Sequence, residues 1–474
     1  MPETNLQTDR APSRPKGHLL RILGIAFGIA VIVGGTIGTG ILRTPGEVAA
    51  GLHSSGLVMA VWVTGGLYAF FCTLAVTELG TMLPQAGGWY VFSRRAFGPY
   101  GGFLVGCSDW IMQSTAVAYL AVAFGEFVVE LQPAFQGNVK LIAVAILVLL
   151  TLLNWLGLRA GSRTQEITSL AKVLALLAFV VACFTISPSS APTAPQVSIN
   201  ALAHGGLLLA LVGALQAVII TYDGWYSAIY FTEEDEDPAR NLPRSSIAGI
   251  VACIAVFLLV NAALLHVLSL PQLAASKMPA ADAAMAVFGG RGKQFILIVS
   301  MVAAISTINA LILITPRILF GMSRDGLLPR QVTTVNAGGT PSLALFLGSA
   351  VAIALALSGS FETLIAIASF LFVAVYLSGF CALFVLRVRE PNLHRPFKLW
   401  GYPWTNLAVL LASAAFLVAS VLGDLQDAGV ALILIALSYP IYRVLAITKR
   451  RPSASAGDAI AVPSSDERPT PDRL

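Results

Sequence analysis

Long uninterrupted apolar blocks, at 56–77, 139–158, 247–270 and 343–358, constrain this chain more than any other feature. A helix needs about 20 apolar residues to cross a bilayer. Inside lipid only helices or closed barrels satisfy their own backbone hydrogen bonds. These blocks are continuous rather than alternating, which selects helices over barrel strands. Composition agrees: 57% of residues are hydrophobic and 11% charged, where a soluble domain carries about 25% charged residues. That leaves too little polar surface to cover a water-exposed globule. The expected fold class is therefore an all-α integral membrane protein.

Twelve transmembrane helices are expected, near 20–50, 56–80, 100–130, 139–158, 165–187, 203–232, 246–270, 293–323, 343–358, 362–387, 404–422 and 427–446. The stretch 1–17 and the stretch 452–474 read as disordered cytoplasmic tails around a transporter-sized domain at 18–451. No cleavable signal peptide is expected before the first span. Lys and Arg set the orientation. With the N-terminus inside, the inner loops hold Arg94, Arg95, Arg159, Arg163, Arg240 and Arg244 among many others, whereas the outer ones hold Lys140, Lys277, Arg291 and Lys293. Both termini are expected to be cytoplasmic. The net charge of +5 follows from this asymmetry and does not point to nucleic acid. Cys72, Cys107, Cys183, Cys253 and Cys381 all fall in apolar spans, so no extracellular disulfide is expected.

Two spans are interrupted by glycine. The first carries Gly34, Gly35, Gly38 and Gly40; the sixth reads Ile219-Ile-Thr-Tyr-Asp-Gly-Trp-Tyr-Ser-Ala228. Each glycine costs about 1 kcal/mol against alanine in a helix. Close helix packing is one reason to accept that cost. Unwinding is the other, and the five-span separation of the breaks favours it, because discontinuous helices in corresponding halves mark the substrate site of five-plus-five inverted-repeat transporters. The half-helix after a break presents its positive dipole end there.

Ile37-Gly-Thr-Gly-Ile41 resembles the first-helix motif of the amino acid–polyamine–organocation superfamily. Tyr222-Asp-Gly-Trp225, Phe231-Thr-Glu-Glu234 and Asp237-Pro-Ala-Arg-Asn-Leu-Pro243 are similar to the sixth helix and following loop of the L-type amino acid transporters. Ala171-Lys-Val-Leu-Ala-Leu176, Ser323-Arg-Asp-Gly-Leu-Leu-Pro329, Arg395-Pro-Phe-Lys398 and Tyr402-Pro403 extend the resemblance over about 20–450. It implies a leucine-transporter-type fold with helices 1 and 6 discontinuous, moving amino acids by alternating access. It further implies a substrate carboxylate on the backbone of Gly38, Thr39 and Gly40. The amino group would lie on carbonyls of Ile37 and of the 220–223 break. In sodium-independent relatives a lysine at the place of Lys172 stands in for a sodium ion, with eighth-helix hydroxyls at the places of Ser306 and Thr307.

Several residues admit two readings. Lys172, about 10 Å into the expected fifth span, either snorkels to the surface or serves function, as ionisable membrane residues do by default. Asp223, where L-type relatives often have glycine, either meets the substrate ammonium or the side chain of a cationic substrate, or pairs with Arg43. Arg43 could instead pair locally with Glu47. Asp109 is either a proton site or a buried hydrogen-bonding residue. Trp225 and Tyr226, beside Tyr222 and Gly224, either gate the site or pack. Ile220 stands where relatives often carry an aromatic gate. The acidic run Glu233–Asp237 reads most simply as a solvated loop.

No P-loop or metal-ligand spacing is present, which argues against an ATP-driven pump, an enzyme or a cofactor-bearing protein. The expected function is sodium-independent secondary transport of amino acids, by proton symport or exchange, in a bacterial-type inner membrane. The rival is a non-transporting amino acid sensor of the same fold. Expected partners are the amino acid, the lipid bilayer and, in a symporter, protons. The loop from Leu131 to Lys140 lacks the cysteine through which animal L-type relatives attach a heavy chain, so no disulfide-linked subunit is expected.

Overall fold

The computed structural model describes residues 19–52, 54–186, 206–359, 361–423 and 438–444, with side chains at 361–370 and 420–423 left undescribed. The expected tails and most of the expected twelfth span lie outside these residues. Fourteen α-helices run from Ile25 to Gly423, and a further helical stretch covers 438–444. They are α1 (Ile25–Thr36), α2 (Gly40–Gly51), α3 (Ser55–Met82), α4 (Trp89–Leu131), α5 (Val139–Trp155), α6 (Leu158–Thr185), α7 (Gly206–Thr221), α8 (Pro238–Val267), α9 (Leu270–Ala275), α10 (Pro279–Phe288), α11 (Gly292–Arg324), α12 (Ser342–Ser358), α13 (Phe361–Arg389) and α14 (Trp404–Gly423).

Six of the helical segments are long and apolar enough to cross a membrane, and α1 with α2, bent by 45°, makes a seventh. The shorter apolar helices α5, α7, α12 and α14 coincide with four more expected spans. Large apolar side chains face outward along α5, α6 and α7, including Leu149, Ile167, Leu170 and Leu208, the last 73% exposed. An apolar outer surface of that extent is unsuited to water. The chain is a multi-pass membrane protein.

Two boundaries bear on the site. Helix α4, at 43 residues, would be about 65 Å long if straight, twice what a bilayer core needs. It turns at Gly98, whose φ of +83° lies in the left-handed region that glycine tolerates, and Pro99 follows. The remainder matches the expected third span. Helix α6 begins at Leu158 rather than near 165, which places Lys172 about 21 Å along its axis rather than about 10 Å.

At the centre α1 packs on α6, α8 and α11, while α4 packs on α11 and α13 and α3 on α8. Helix α1 stops at Thr36; Ile37, Gly38 and Thr39 carry the chain into α2. Helix α7 stops at Thr221, and an irregular turn leads into a short 3₁₀ segment, Ser227–Phe231. Both interruptions fall where the glycine pattern places them.

Candidate substrate site at the helix breaks

The two breaks touch through their backbones. A Cβ on Gly224 would lie 2.4 Å from the carbonyl carbon of Gly35 and 2.6 Å from the nitrogen of Thr36, and Gly224 has φ +107°. Only glycine suits that approach and that dihedral. Between the breaks lies a cavity of about 440 Å³ whose lining includes Gly38, Thr39, Gly40, Ile220, Asp223, Gly224, Tyr226 and Thr307. Arg43, Glu47 and Phe372 also border it. Gly40 and Ile41 open α2, so their N–H groups have no preceding turn to accept them. They and the dipole end of α2 give the wall an affinity for anions. Next to it, the carbonyl end of α7 and the Asp223 carboxylate favour a cation.

Of the expected substrate-binding residues, Ile37, Tyr222 and Trp225 stay outside the lining of this cavity. The Ile37 carbonyl accepts from Lys172 Nζ at 2.6 Å. Tyr222 packs on Trp62 and Phe257 and donates to the Trp62 carbonyl at 3.3 Å. Trp225 stacks on Phe380, their ring centroids 6.3 Å apart, and meets Trp89 edge-on. It lines instead a smaller void of about 30 Å³ with Tyr68, Phe372, Tyr376 and Phe416, which Asp223 and Ile220 also border.

Lys172 is fully buried. Its ammonium donates to the carbonyls of Gly34 at 2.8 Å and Ile37 at 2.6 Å, at the end of α1. Snorkelling is thereby overturned: the side chain turns inward to carbonyls that the helix break leaves free. Thr307 Oγ1 donates to the same Gly34 carbonyl at 3.0 Å. Ser306 instead faces Ser169, 3.2 Å away, and Gln165, 3.3 Å away. No hydrogen bond joins it to Lys172 among the described residues.

Asp223 accepts a short hydrogen bond from the Tyr376 hydroxyl of α13. Among the described residues it forms no ion pair with Arg43, whose guanidinium lies over the Phe127 ring, 5.1 Å from its centroid. Arg43 forms none with Glu47 either. Asp109 is fully buried and accepts from the Tyr230 hydroxyl at 2.9 Å and from Gln113 Nε2 at 3.3 Å.

The acidic run after the second break is only partly solvated: Glu236 is exposed, but Glu234 is buried. Glu234 is 0% exposed and takes a bidentate pair from Arg317 of α11, with both N···O distances 2.9 Å. The Arg317 guanidinium also covers the Phe231 ring. Beside it Glu233 pairs with Arg324 at 2.5 Å and accepts from the Ala86 N–H. Glu78 of α3, also 0% exposed, holds Arg387 at 2.7 Å, with Arg395 at 3.4 Å and the Leu399 N–H at 2.7 Å. No residue from Ser227 to Glu234 lines the cavity. The charged layer tightens the bundle away from it. A burial signal for Glu234 exists only in the apolar Ala228–Phe231 stretch just before it.

The family model described as amino acid permease matches residues 24–441. The chain belongs to the amino acid permease family. It is a transporter and not an enzyme. The permease is 26% identical to a serine/threonine exchanger of Bacillus subtilis, over 90% of this chain and 96% of that one. It is 30% identical to the Asc-type amino acid transporter 1 of Mus musculus, over 90% and 81%. To the human large neutral amino acids transporter small subunit 2 it is 28% identical, over 92% and 83%.

Proposed function

We propose that this permease moves amino acids across a cell membrane without sodium, by alternating access, as a proton symporter or an exchanger. The observation that carries the reading is the backbone contact of the two helix breaks at a cavity lined by both an anion-favouring helix end and a carboxylate. An α-amino acid presents those two charges in reverse. Its carboxylate would take the first N–H groups of α2 around Gly40. Its ammonium would take the carbonyl end of α7 and Asp223. The absence of an Asp223–Arg43 pair among the described residues supports a substrate partner for that carboxylate.

A twelve-span, five-plus-five inverted repeat accounts for which elements meet. A five-span shift relates the first span to the sixth and the third to the eighth. The breaks of the first pair touch, and α4 packs on α11. The Lys172 ammonium on two free carbonyls at the end of α1 supplies the positive charge that a bound sodium would otherwise bring, with Thr307 as a neighbour. The Lys and Arg pattern supports cytoplasmic termini in a bacterial-type inner membrane.

The names of the relatives put serine and threonine first among substrates to try. Proteoliposomes holding the purified permease should take up tritiated L-serine at the same rate when sodium is replaced by choline. A steep sodium dependence would remove the ammonium-for-sodium reading. Thermal-shift screening against the amino acids and common polyamines then defines the range; no shift with any amino acid would overturn the substrate class.

A further inference from the structure

The geometry points to Asp109 as a proton-carrying site, set behind Tyr226 of the substrate cavity and serving as the coupling site of the proposed transporter. This rests on the amino acid transport reading and adds the ion and the residue that holds it.

The case begins with charge. Asp109 is fully buried, and no Lys, Arg or His lies within ion-pair distance of it among the described residues. An isolated ionised carboxylate away from water is costly unless paired. From the segment after α7 the Tyr230 hydroxyl meets Asp109, and the Tyr226 hydroxyl meets Gln113 beside it. Tyr376 of α13 adjoins Tyr226, their ring centroids 5.3 Å apart. The other cations on neighbouring helices are engaged elsewhere. On α11, Lys293 pairs with Glu130, Arg317 with Glu234 and Arg324 with Glu233. On α13, Arg387 pairs with Glu78 and Arg389 donates to the Ala96 carbonyl. Helix α5 offers Lys140, which donates to the Leu357 carbonyl, and α12 carries no ionisable side chain.

The donor count gives the second, independent observation. Gln113 Nε2 lies 3.3 Å from each of Asp109 Oδ1, Tyr226 Oη and Tyr230 Oη, three neighbours for two hydrogens. Its Oε1 is buried with no donor. Tyr230 Oη lies 2.9 Å from both Asp109 oxygens and has one hydrogen for the two contacts. A protonated Asp109 then supplies the missing donor.

Tyr226 lines the cavity, and its hydroxyl shares Gln113 Nε2 with that of Tyr230. On release the O–H bond of Asp109 breaks. One proton leaves toward the cavity as the segment carrying Tyr226 and Tyr230 moves, and one carboxylate remains. The carboxylate left behind keeps the Tyr230 hydroxyl. Return reverses the transfer. Coupling follows from chain continuity. One segment carries Asp223 at the cavity, Tyr226 and Tyr230 at Asp109, and Glu234 in the buried pair with Arg317. Any movement that opens the Glu234 side shifts the hydroxyls on which Asp109 depends.

Two measurements on the full-length permease test this. Infrared spectra near neutral pH should show the carbonyl stretch of a protonated carboxylic acid that disappears in Asp109→Asn and persists in Asp223→Asn. That readout needs no transport, so it stands apart from the substrate assignment. In proteoliposomes with an internal pH dye and clamped potential, external L-serine should acidify the lumen. Asp109→Asn should abolish the acidification while serine exchange continues. Tyr230→Phe, which keeps the ring, should weaken it if Asp109→Asn folds poorly. A spectrum without the band, or serine-driven acidification unchanged in Asp109→Asn, overturns the proposal. Failure of serine, threonine and every other amino acid to bind overturns the transport reading instead.

Discussion

At position 224 a Cβ would meet the Gly35 backbone at 2.4 Å, and backbone cannot swing away as a side-chain tip can. Gly224→Ala therefore forces the two breaks apart, and its melting temperature should drop measurably even without substrate. At Gly40 a Cβ would stand 3.2 Å from Thr221 Cγ2, a contact Thr221 can relieve. Gly40→Val should fold, since α2 tolerates valine, yet lose serine uptake because its methyls enter the space a carboxylate needs. Normal uptake in that variant would relocate the carboxylate. Asp223→Asn removes a charge-assisted bond and keeps the volume. Apparent affinity should fall roughly tenfold or more, since about 1.4 kcal/mol is a factor of ten. Because Arg43 lies over Phe127, adding Arg43→Gln should restore neither affinity nor melting temperature. A rescue by Arg43→Gln would mean that the two charges pair in the working protein.

At the scale of elements, the segment after α7 is tied to α11 by Glu234 and Arg317. Breaking a buried pair from one side costs about 3–5 kcal/mol, because the remaining charge is stranded. Arg317→Met should thus destabilise strongly in thermal unfolding, and Glu234→Gln added to it should recover part of the loss. Additive losses would show that the pair is not coupled. The sequence made the breaks legible because glycine clusters and a Tyr-Asp-Gly-Trp step interrupt otherwise continuous apolar runs. It hid the pair, because an acidic run between spans looks solvated and Arg317 lies 83 residues further along the chain. Tyr376 was hidden for another reason: an aromatic residue inside an apolar span reads as packing, and only the fold brings its hydroxyl to Asp223. Helix α6 starts in polar sequence, Leu158-Arg-Ala-Gly-Ser-Arg, ahead of the apolar run that marks the expected span.

For the whole molecule, apolar run length made the long helices among the described residues legible, and the resemblance brought the two breaks and Lys172 together, while the buried ion pairs stayed hidden. The ammonium of Lys172 joins α6 to α1 at the first break. Its removal leaves the Ile37 carbonyl without that donor. Lys172→Ala should lose serine uptake, and neither sodium nor lithium should bring it back; recovery with either ion would show that the vacated space binds a cation. Substrate range has a different origin. The meeting of Gly35 with Gly224 is a contact between main chains, so neither partner has atoms that selection could shorten to accommodate a change in the other. Mutational paths toward new substrates are consequently barred from the floor of the cavity and channelled to its walls. Ile220, Leu311 and Phe372 are the places where such divergence can be recorded.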